Sequence, residues 1–442
     1  MIATWLLAAA VSGSFVHPTP QLAAAVTGSF VHPTPQPAAD LPAAVYKARR
    51  ERVLEQLDGC VALVEAQGII QGVTEDFRQD ADFYWLSGLN EGDAYLLFQP
   101  KSPYRKVVLY LKPRDPEAER WTGPREPLSP ALMAKYGVDR VQRGTPEKML
   151  EDAAQHHDCI TLITPSGMGD AERKDDALML RLASRNGLKI NYQRGLLARL
   201  RSAHAPEEIE RMQRAIAITA LGHDTVAKAT VEGVSERDVQ AQLEYTFFAN
   251  GATGLSYSSL IGTGPNGTVL HLDQNTRSRI LRKGDLVVVD AAGEYGRYAA
   301  DVTRTYPVSG HFTPEQAKVY QAVFQAQEDI FAAIRPGVSM AELQHVAEGS
   351  LRRTGYLADF IHSFGHFVGL DVHDAGDLEA PIPVGAVFTV EPGVYLPQQG
   401  FGIRLEDEVL MTEHGFQLLT ATIPRKLEDV ESWVARMRRA SR

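Results

Sequence analysis

Hydrophobic residues along this chain gather into short runs separated by turn residues, and what lies between the runs changes halfway along. From about Leu41 to Leu200 the runs Val61-Ala62-Leu63-Val64, Val107-Val108-Leu109-Tyr110 and Ile160-Thr161-Leu162-Ile163 have the length and β-branched content of buried strands. They alternate with helix-like stretches, which predicts an α/β domain. The pattern breaks near Ser202-Ala203-His204-Ala205-Pro206. There Pro206-Glu207-Glu208-Ile209-Glu210 opens a helix, with proline and acids in its first turn, that continues through Met212 and Ile216. Beyond it the strand-like runs return in pairs: Leu286 to Asp290 with Tyr298 to Val308, and Phe388 to Gly393 with Gly402 to Glu406. Each pair encloses a glycine-containing turn, so antiparallel hairpins are predicted.

The hairpins carry the candidate chemistry. A turn centred on Tyr295-Gly296 sets Asp290 directly opposite Asp301, and a turn at Gln398-Gln399-Gly400 sets Glu391 opposite Glu406. Opposed Cβ atoms lie about 4.5–5.5 Å apart, so paired carboxylates on one face repel unless cations sit between them. Any one of these acids is ordinarily a turn former or a helix cap; the conjunction, completed by His366, is what marks a site. Four carboxylates balance two divalent cations. An oxygen-rich shell with one imidazole and no thiolate favours hard or borderline ions, manganese before zinc or cobalt. Arg404 shares a strand face with Glu406 at a spacing of two and could orient a metal-bound carboxylate. The glycine-rich turn Gly262 to Gly267 lacks the Lys-Ser/Thr pair of a phosphate loop.

The segments Asp290 to Asp301, His362 to Asp374, Glu391-Pro392-Gly393-Val394-Tyr395 and Arg404-Leu405-Glu406-Asp407 resemble the metal and proton-transfer motifs of the proline-specific pita-bread metallopeptidases. Phe77 to Gly88 is similar to that family's N-terminal signature. The likeness covers roughly residues 45 to 430 and is stronger to Xaa-Pro aminopeptidases than to Xaa-Pro dipeptidases. It implies an α/β N-terminal domain for assembly and gating, and an α+β pita-bread domain whose curved antiparallel sheet is backed by helices and holds the metals in its concavity. It also implies roles. Asp290, Asp301, His366, Glu391 and Glu406 would bind two metal ions; Glu391 would also move the proton, and Asp301 would also receive the substrate's α-amino group. His271 would stabilise the developing oxyanion, His362 and His373 would flank the proline and its carbonyl, and Tyr257 would stand near the metal shell. Trp121 matches a tryptophan that closes the proline pocket of a neighbouring subunit, so a homodimer or homotetramer is implied. His373 has a plainer reading, as a structural histidine bonded to Asp374, and Trp121 as a surface aromatic.

A metal-lowered water pKa, from 15.7 to about 7, is what amide hydrolysis at neutral pH requires. An Xaa-Pro bond has no N–H and a fixed φ, which defeats proteases that grip the scissile amide hydrogen. A dipeptidase needs a cation for the proline carboxylate. Between His373 and Glu391 stand Asp374, Asp377 and Glu379 and no Lys or Arg, which favours an open exit and therefore an aminopeptidase, although Arg78 or a second subunit could supply the charge. Loss of even one ligand would point instead to a non-catalytic peptide-binding module; all five are present.

Composition narrows the picture further. At 442 residues the chain is too long for one ordinary core, and a formal charge of −10 argues against a nucleic-acid partner; proline-containing peptides fit better, and no membrane partner is expected. Residues 1–42 form a low-complexity, signal-like or disordered segment in which Ala8 to Gln21 recurs as Ala23 to Gln36. Residues 43–203 and 204–442 are the two domains. The apolar start resembles a short signal-peptide core but has no preceding Lys or Arg; the resemblance to a mostly intracellular family implies a cytoplasmic protein, with export as the alternative. Cys60 and Cys159 each open a predicted strand and read as buried free thiols.

Overall fold

The structure, a computed structural model, describes residues 38–71, 76–164, 174–272 and 278–439; the duplicated segment near the start lies outside them. Six strands form the N-terminal sheet, in the spatial order Arg140–Arg143, Val107–Leu111, Tyr95–Phe98, Val61–Glu65, Cys159–Thr164 and Lys189–Arg194. Tyr95–Phe98 runs antiparallel to both its neighbours and the remaining pairs are parallel. The apolar runs are continuous because both faces of the sheet are covered. Ala62, Val64, Leu96 and Phe98 pack with Val53, Phe83 and Trp85, whereas Val61, Leu63, Leu97 and Val108 pack with Leu150, Met179 and Leu182.

One expectation is overturned here. Parallel pairing of Val61 with Ile160 carries back by one residue to set Cys60 beside Cys159. Their Cα atoms are 4.8 Å apart and the two form a disulfide, so the thiols are not free. Strand partners so distant in sequence are invisible to local pattern.

The second domain begins with the helix Pro206–Ala229, whose first turn is closed by Glu208 accepting the Ala205 N–H at 2.8 Å. Helices Glu236–Ala249, Pro314–Ala333 and Met340–Thr354 each start with a reciprocal cap, from Ser235 with Asp238, Thr313 with Gln316, and Ser339 with Glu342. They back three antiparallel ladders. Leu286–Asp290 lies between Leu260–Thr263 and Thr303–Pro307; Asp407–Thr412 lies between Val387–Val390 and Gly415–Leu418; Gly393–Leu396 pairs with Phe401–Arg404. Hydrogen bonds from Glu406 N–H to Thr303 O (3.1 Å) and from Arg404 N–H to the Thr305 hydroxyl (3.2 Å) stitch the first ladder to the third. The domains meet at a buried cluster in which Arg49 pairs with Glu208 at 3.0 Å and Tyr298 donates to Glu208 at 2.9 Å. No helix among the described residues is long and apolar enough to cross a membrane.

The first hairpin differs in register from the expectation. Its central residues are Gly296 and Arg297, both at positive φ (57° and 75°), so the turn is centred one residue later than Tyr295-Gly296. Arg297 is held in this conformation by donating to Gln79 O at 2.7 Å and stacking 4.8 Å over the Tyr84 ring. Asp290 therefore faces Thr303 rather than Asp301, and the second strand begins at Thr303 rather than Tyr298. Because the slip is two residues, Asp290 and Asp301 keep the same face.

Candidate active site

Asp290 ends its strand, and Asp301 precedes the partner strand by two residues. The second pair sits at a break between ladders. Val390 pairs with Asp407 on one side of the break and Gly393 with Arg404 on the other, so Glu391 and Glu406 occupy the interruption in the register expected from the Gln398-Gln399-Gly400 turn. His366 is docked to Thr389 by two bonds, His366 N–H to the Thr389 hydroxyl (3.0 Å) and Thr389 N–H to His366 O (2.9 Å). Its Nδ1 faces Phe367 O at 3.1 Å, which leaves Nε2 to point into the site, 3.3 Å from Asp301 Oδ2 and 3.4 Å from Glu391 Oε1. Asp301, His366 and Glu406 bring one ligand atom each within 4.8 Å of one another.

A layer of hydrogen bonds orients these groups. Arg404 reaches three of its members: Nη2 donates to Asp290, Nη1 to the Tyr395 hydroxyl at 2.7 Å, and Nε to the Thr303 hydroxyl at 3.0 Å. Thr303 in turn donates to Glu406 Oε2 at 2.6 Å, and Tyr257 donates to Asp301 Oδ1 at 2.6 Å. Thr389 donates to Glu391 Oε1 at 3.2 Å. Glu408 accepts the backbone N–H of Asp301 from behind. His362 Nε2 lies 2.9 Å from the Tyr395 hydroxyl and its Nδ1 2.7 Å from Ser363 O. Ser363 O can only accept, so Nδ1 carries a proton; with Tyr395 donating to Nε2 the imidazole is neutral. Burial, then Arg404, lowers the His362 pKa to about 4, in agreement.

Electrostatics show what the arrangement lacks. Burial and the neighbouring carboxylates raise Glu406 well above the usual carboxylate range; burial and Asp301 raise Asp290, against the pull of Arg404. Burial pushes Glu391 up to about 7 although His366 and Arg404 oppose the rise. His366 moves the other way: burial would lower its pKa, but Asp301 and Glu391 outweigh it and bring it up to about 9. A pit that raises the pKa of three of its acids and of its imidazole is short of positive charge. Asp290 Oδ1 is buried with no hydrogen-bond partner. Both observations fit divalent cations held by Asp290, Asp301, His366, Glu391 and Glu406.

A cavity of about 630 Å³ opens onto Asp290 and Asp301 and is lined also by Tyr257, Leu270, His271 and His373. The His373 ring lies 4.0 Å from that of His366. Burial, then His366, lowers the pKa of His373, and Asp374 bonds elsewhere. Trp121 stands apart from this cluster, 88% exposed on the short helix Glu119–Thr122. Thr303, Thr389, Tyr395 and Glu408 were not singled out from sequence. Three of them stand two residues from a candidate ligand on an extended chain, Thr303 after Asp301, Thr389 before Glu391 and Glu408 after Glu406, and that period-two spacing is the signal that could have found them.

Comparison with known proteins agrees with this geometry. Residues 210–413 match metallopeptidase family M24 and residues 46–161 match the aminopeptidase P N-terminal domain. The Xaa-Pro aminopeptidase of Haemophilus influenzae is 32% identical over 89% of this chain and 98% of its own length; that of Escherichia coli is 31% identical with the same coverage. Among solved structures, the Pseudomonas aeruginosa aminopeptidase PepP superposes with a TM-score of 0.80 at 28% identity, covering 90% of this chain and 99% of that one. A variant of Escherichia coli aminopeptidase P in complex with substrate gives 0.78 at 29% identity, covering 91% and 100%. With both halves matched and the relatives covered almost end to end, the chain belongs to the Xaa-Pro aminopeptidases of metallopeptidase family M24.

Proposed function

We infer that this chain is a metallo-aminopeptidase that removes the N-terminal residue from peptides with proline in second position. The observation that carries the reading is the pit itself: four carboxylates and one imidazole, oriented by Arg404, Thr303, Tyr257 and Thr389, with a cavity opening onto them. Divalent cations bound there would supply Lewis acidity and a lowered water pKa. Glu391, whose two oxygens face His366 Nε2 at 3.4 Å and His362 Nδ1 at 3.7 Å, is placed to accept a proton and return it to the leaving proline nitrogen. Asp301 offers a carboxylate for the α-amino group. His271, at the cavity mouth, would donate to the developing oxyanion. His362 is neutral and flanked by the Phe360 ring at 5.2 Å and the Tyr395 ring at 5.5 Å, an aromatic wall suited to a proline ring.

The dipeptidase reading is weakened by one contact. Arg78, the arginine that could have received a proline carboxylate, is paired with Glu294 at 2.5 Å and donates to Leu370 O at 3.0 Å. Manganese is the proposed metal, from the oxygen-rich donor set. A dimer or tetramer is proposed in which Trp121 serves the neighbouring site. In support, its helix is pinned from below by Glu119, which accepts from Arg114 at 2.6 and 2.7 Å, so the exposed indole is held outward. The disulfide supports the exported location over the cytoplasmic one, since such bonds persist in oxidising compartments.

The test is release of the first residue from Ala-Pro-Ala-type peptides and from Ala-Pro, with manganese-loaded and chelator-treated enzyme side by side. Metal-dependent cleavage of the longer peptides is expected. Cleavage of the dipeptide alone would replace the reading with a dipeptidase, and no cleavage of either with metal bound would replace it with a binding module.

A further inference from the structure

We propose that Arg201, a residue of the N-terminal domain, is a positioning residue for His373, which it holds by clamping the adjacent Asp374. The proposal rests on the aminopeptidase reading, in which His373 faces the substrate, and adds a structural reason why the N-terminal domain matters to the chemistry.

Arg201 ends the helix Leu196–Arg201, whose Leu196 and Leu197 lie in the N-terminal core. The residue is 5% exposed, and its guanidinium spans the two domains. Nη1 donates to Asp82 Oδ1 at 2.6 Å, in the N-terminal helix Ala81–Ser87; Nη2 donates to Asp374 Oδ1 and reaches Asp371 Oδ2 at 3.5 Å. The Asp374 carboxylate also accepts the N–H groups of Leu370 (3.0 Å) and Ala375 (2.6 Å), closing the segment between them into a ring. Gly369 is needed because a Cβ there would strike Asp374 Oδ2 and the His204 ring. His204 Nε2 in turn meets Val368 O at 2.9 Å, a second hold from the same interdomain region.

The clamped segment contains His373 and begins four residues after the candidate metal ligand His366, and the hydrogen bonds to the Asp374 carboxylate among the described residues come from Arg201, Leu370 and Ala375 rather than His373. The position of His373 is thus set by the backbone, and the backbone by a buried carboxylate whose cation comes from the other domain. A planar fork reaches Asp82, Asp371 and Asp374 together; a lysine ammonium is a single point charge and cannot. Displacement of a substrate-facing group by about 1 Å can cost about 10²-fold in rate.

The experiment is a cycle. Arg201→Lys is made in the otherwise unaltered enzyme and in His373→Ala, and kcat, KM and bound metal are measured for an Ala-Pro-Ala-type peptide. Alongside, the side-chain NMR signal of His373, identified by its loss in His373→Ala, is compared with and without Arg201→Lys. The expected result is unchanged metal content, a roughly 10²-fold fall in kcat/KM, a displaced His373 signal, and loss of nearly all of that kinetic effect once His373 is alanine. Equal losses in both backgrounds, or an unmoved His373 signal, would overturn the proposal. If Arg201→Lys does not fold, the charge-neutral pair Arg201→Met with Asp374→Asn goes through the same cycle, since removing both members together leaves no unpaired charge at position 374. The NMR comparison needs no turnover, so an enzyme inactive on every peptide would refute the functional reading while the positioning claim is still decided.

Discussion

Thr303→Val separates orientation from ligation at this site. The substitution keeps the volume and removes only the hydroxyl, which donates to Glu406 Oε2 at 2.6 Å and accepts from Arg404 Nε at 3.0 Å. Both partners are charged and buried, and hydrogen bonds to charged groups contribute about 1.5–3 kcal/mol each. Losing the partner that orients a metal-ligating carboxylate typically weakens metal affinity about 10–100-fold, or ~1.4–2.7 kcal/mol. The lower end equals the loss of one of the two bonds, so a 10- to 100-fold weakening is the expectation. The assay is titration of metal-free enzyme with Mn²⁺ against a competing chelator, followed by kcat at saturating metal. Affinity should fall by that factor while kcat at saturation falls less, and Thr303→Ser should restore both. If Thr303→Val binds metal as tightly as the unaltered enzyme, Glu406 is not held through this hydroxyl and the orienting layer described above is wrong.

Glu406→Ala or Asp290→Ala should remove metal and activity together, and an inactive variant that keeps two bound ions would contradict their role as ligands. His271→Ala should keep its metal and lose about 10²–10³ in kcat, the cost of one oxyanion donor; unchanged kcat would take His271 out of the reaction. His223 is buried between the Tyr306 hydroxyl and Ala291 O, and burial, then Arg304, pushes its pKa down to about 3. The unfolded chain, titrating near 6.5, binds the extra proton, so this group's contribution is complete above that pH and declines as pH falls, by at most ~1.4 kcal/mol per unit. His223→Gln should therefore flatten the fall of melting temperature between pH 6.5 and 5, and a slope unchanged from the unaltered protein would refute the assignment. Reducing the Cys60–Cys159 bond, which closes a 99-residue separation, should lower the melting temperature, with about 4.7 kcal/mol the chain-entropy expectation for such a loop; equal melting of oxidised and reduced protein would refute it.

What could be read from sequence was whatever depends on spacing along one strand or one turn. Leu286–Asp290 and the register of Gly393 with Arg404 follow from apolar runs and a glycine turn. The Asp290–Asp301 register did not, because Gly296-Arg297 puts a non-glycine residue at positive φ, and only tertiary contacts with Gln79 and Tyr84 make that choice. The disulfide and the Arg201 clamp were hidden for the same reason: each joins residues from distant parts of the chain, and the pairing exists only after the sheet and the domain contact have formed. Tyr395, two residues past Gly393, gained its place by reaching Arg404 diagonally across the ladder and His362 from a separate loop.

The bond between Cys60 and Cys159 also changes what a cut in the N-terminal domain does. It encloses most of that domain's sheet, including the strands Tyr95–Phe98, Val107–Leu111 and Arg140–Arg143. A protease that nicks any loop between the two cysteines produces two polypeptides that stay covalently one molecule. The helix carrying Trp121 lies inside this span, so a single nick there leaves that helix tethered to the catalytic half. In surroundings rich in other proteases, a chain cut once within this span would come apart only after a further event, reduction of the bond or a second cut.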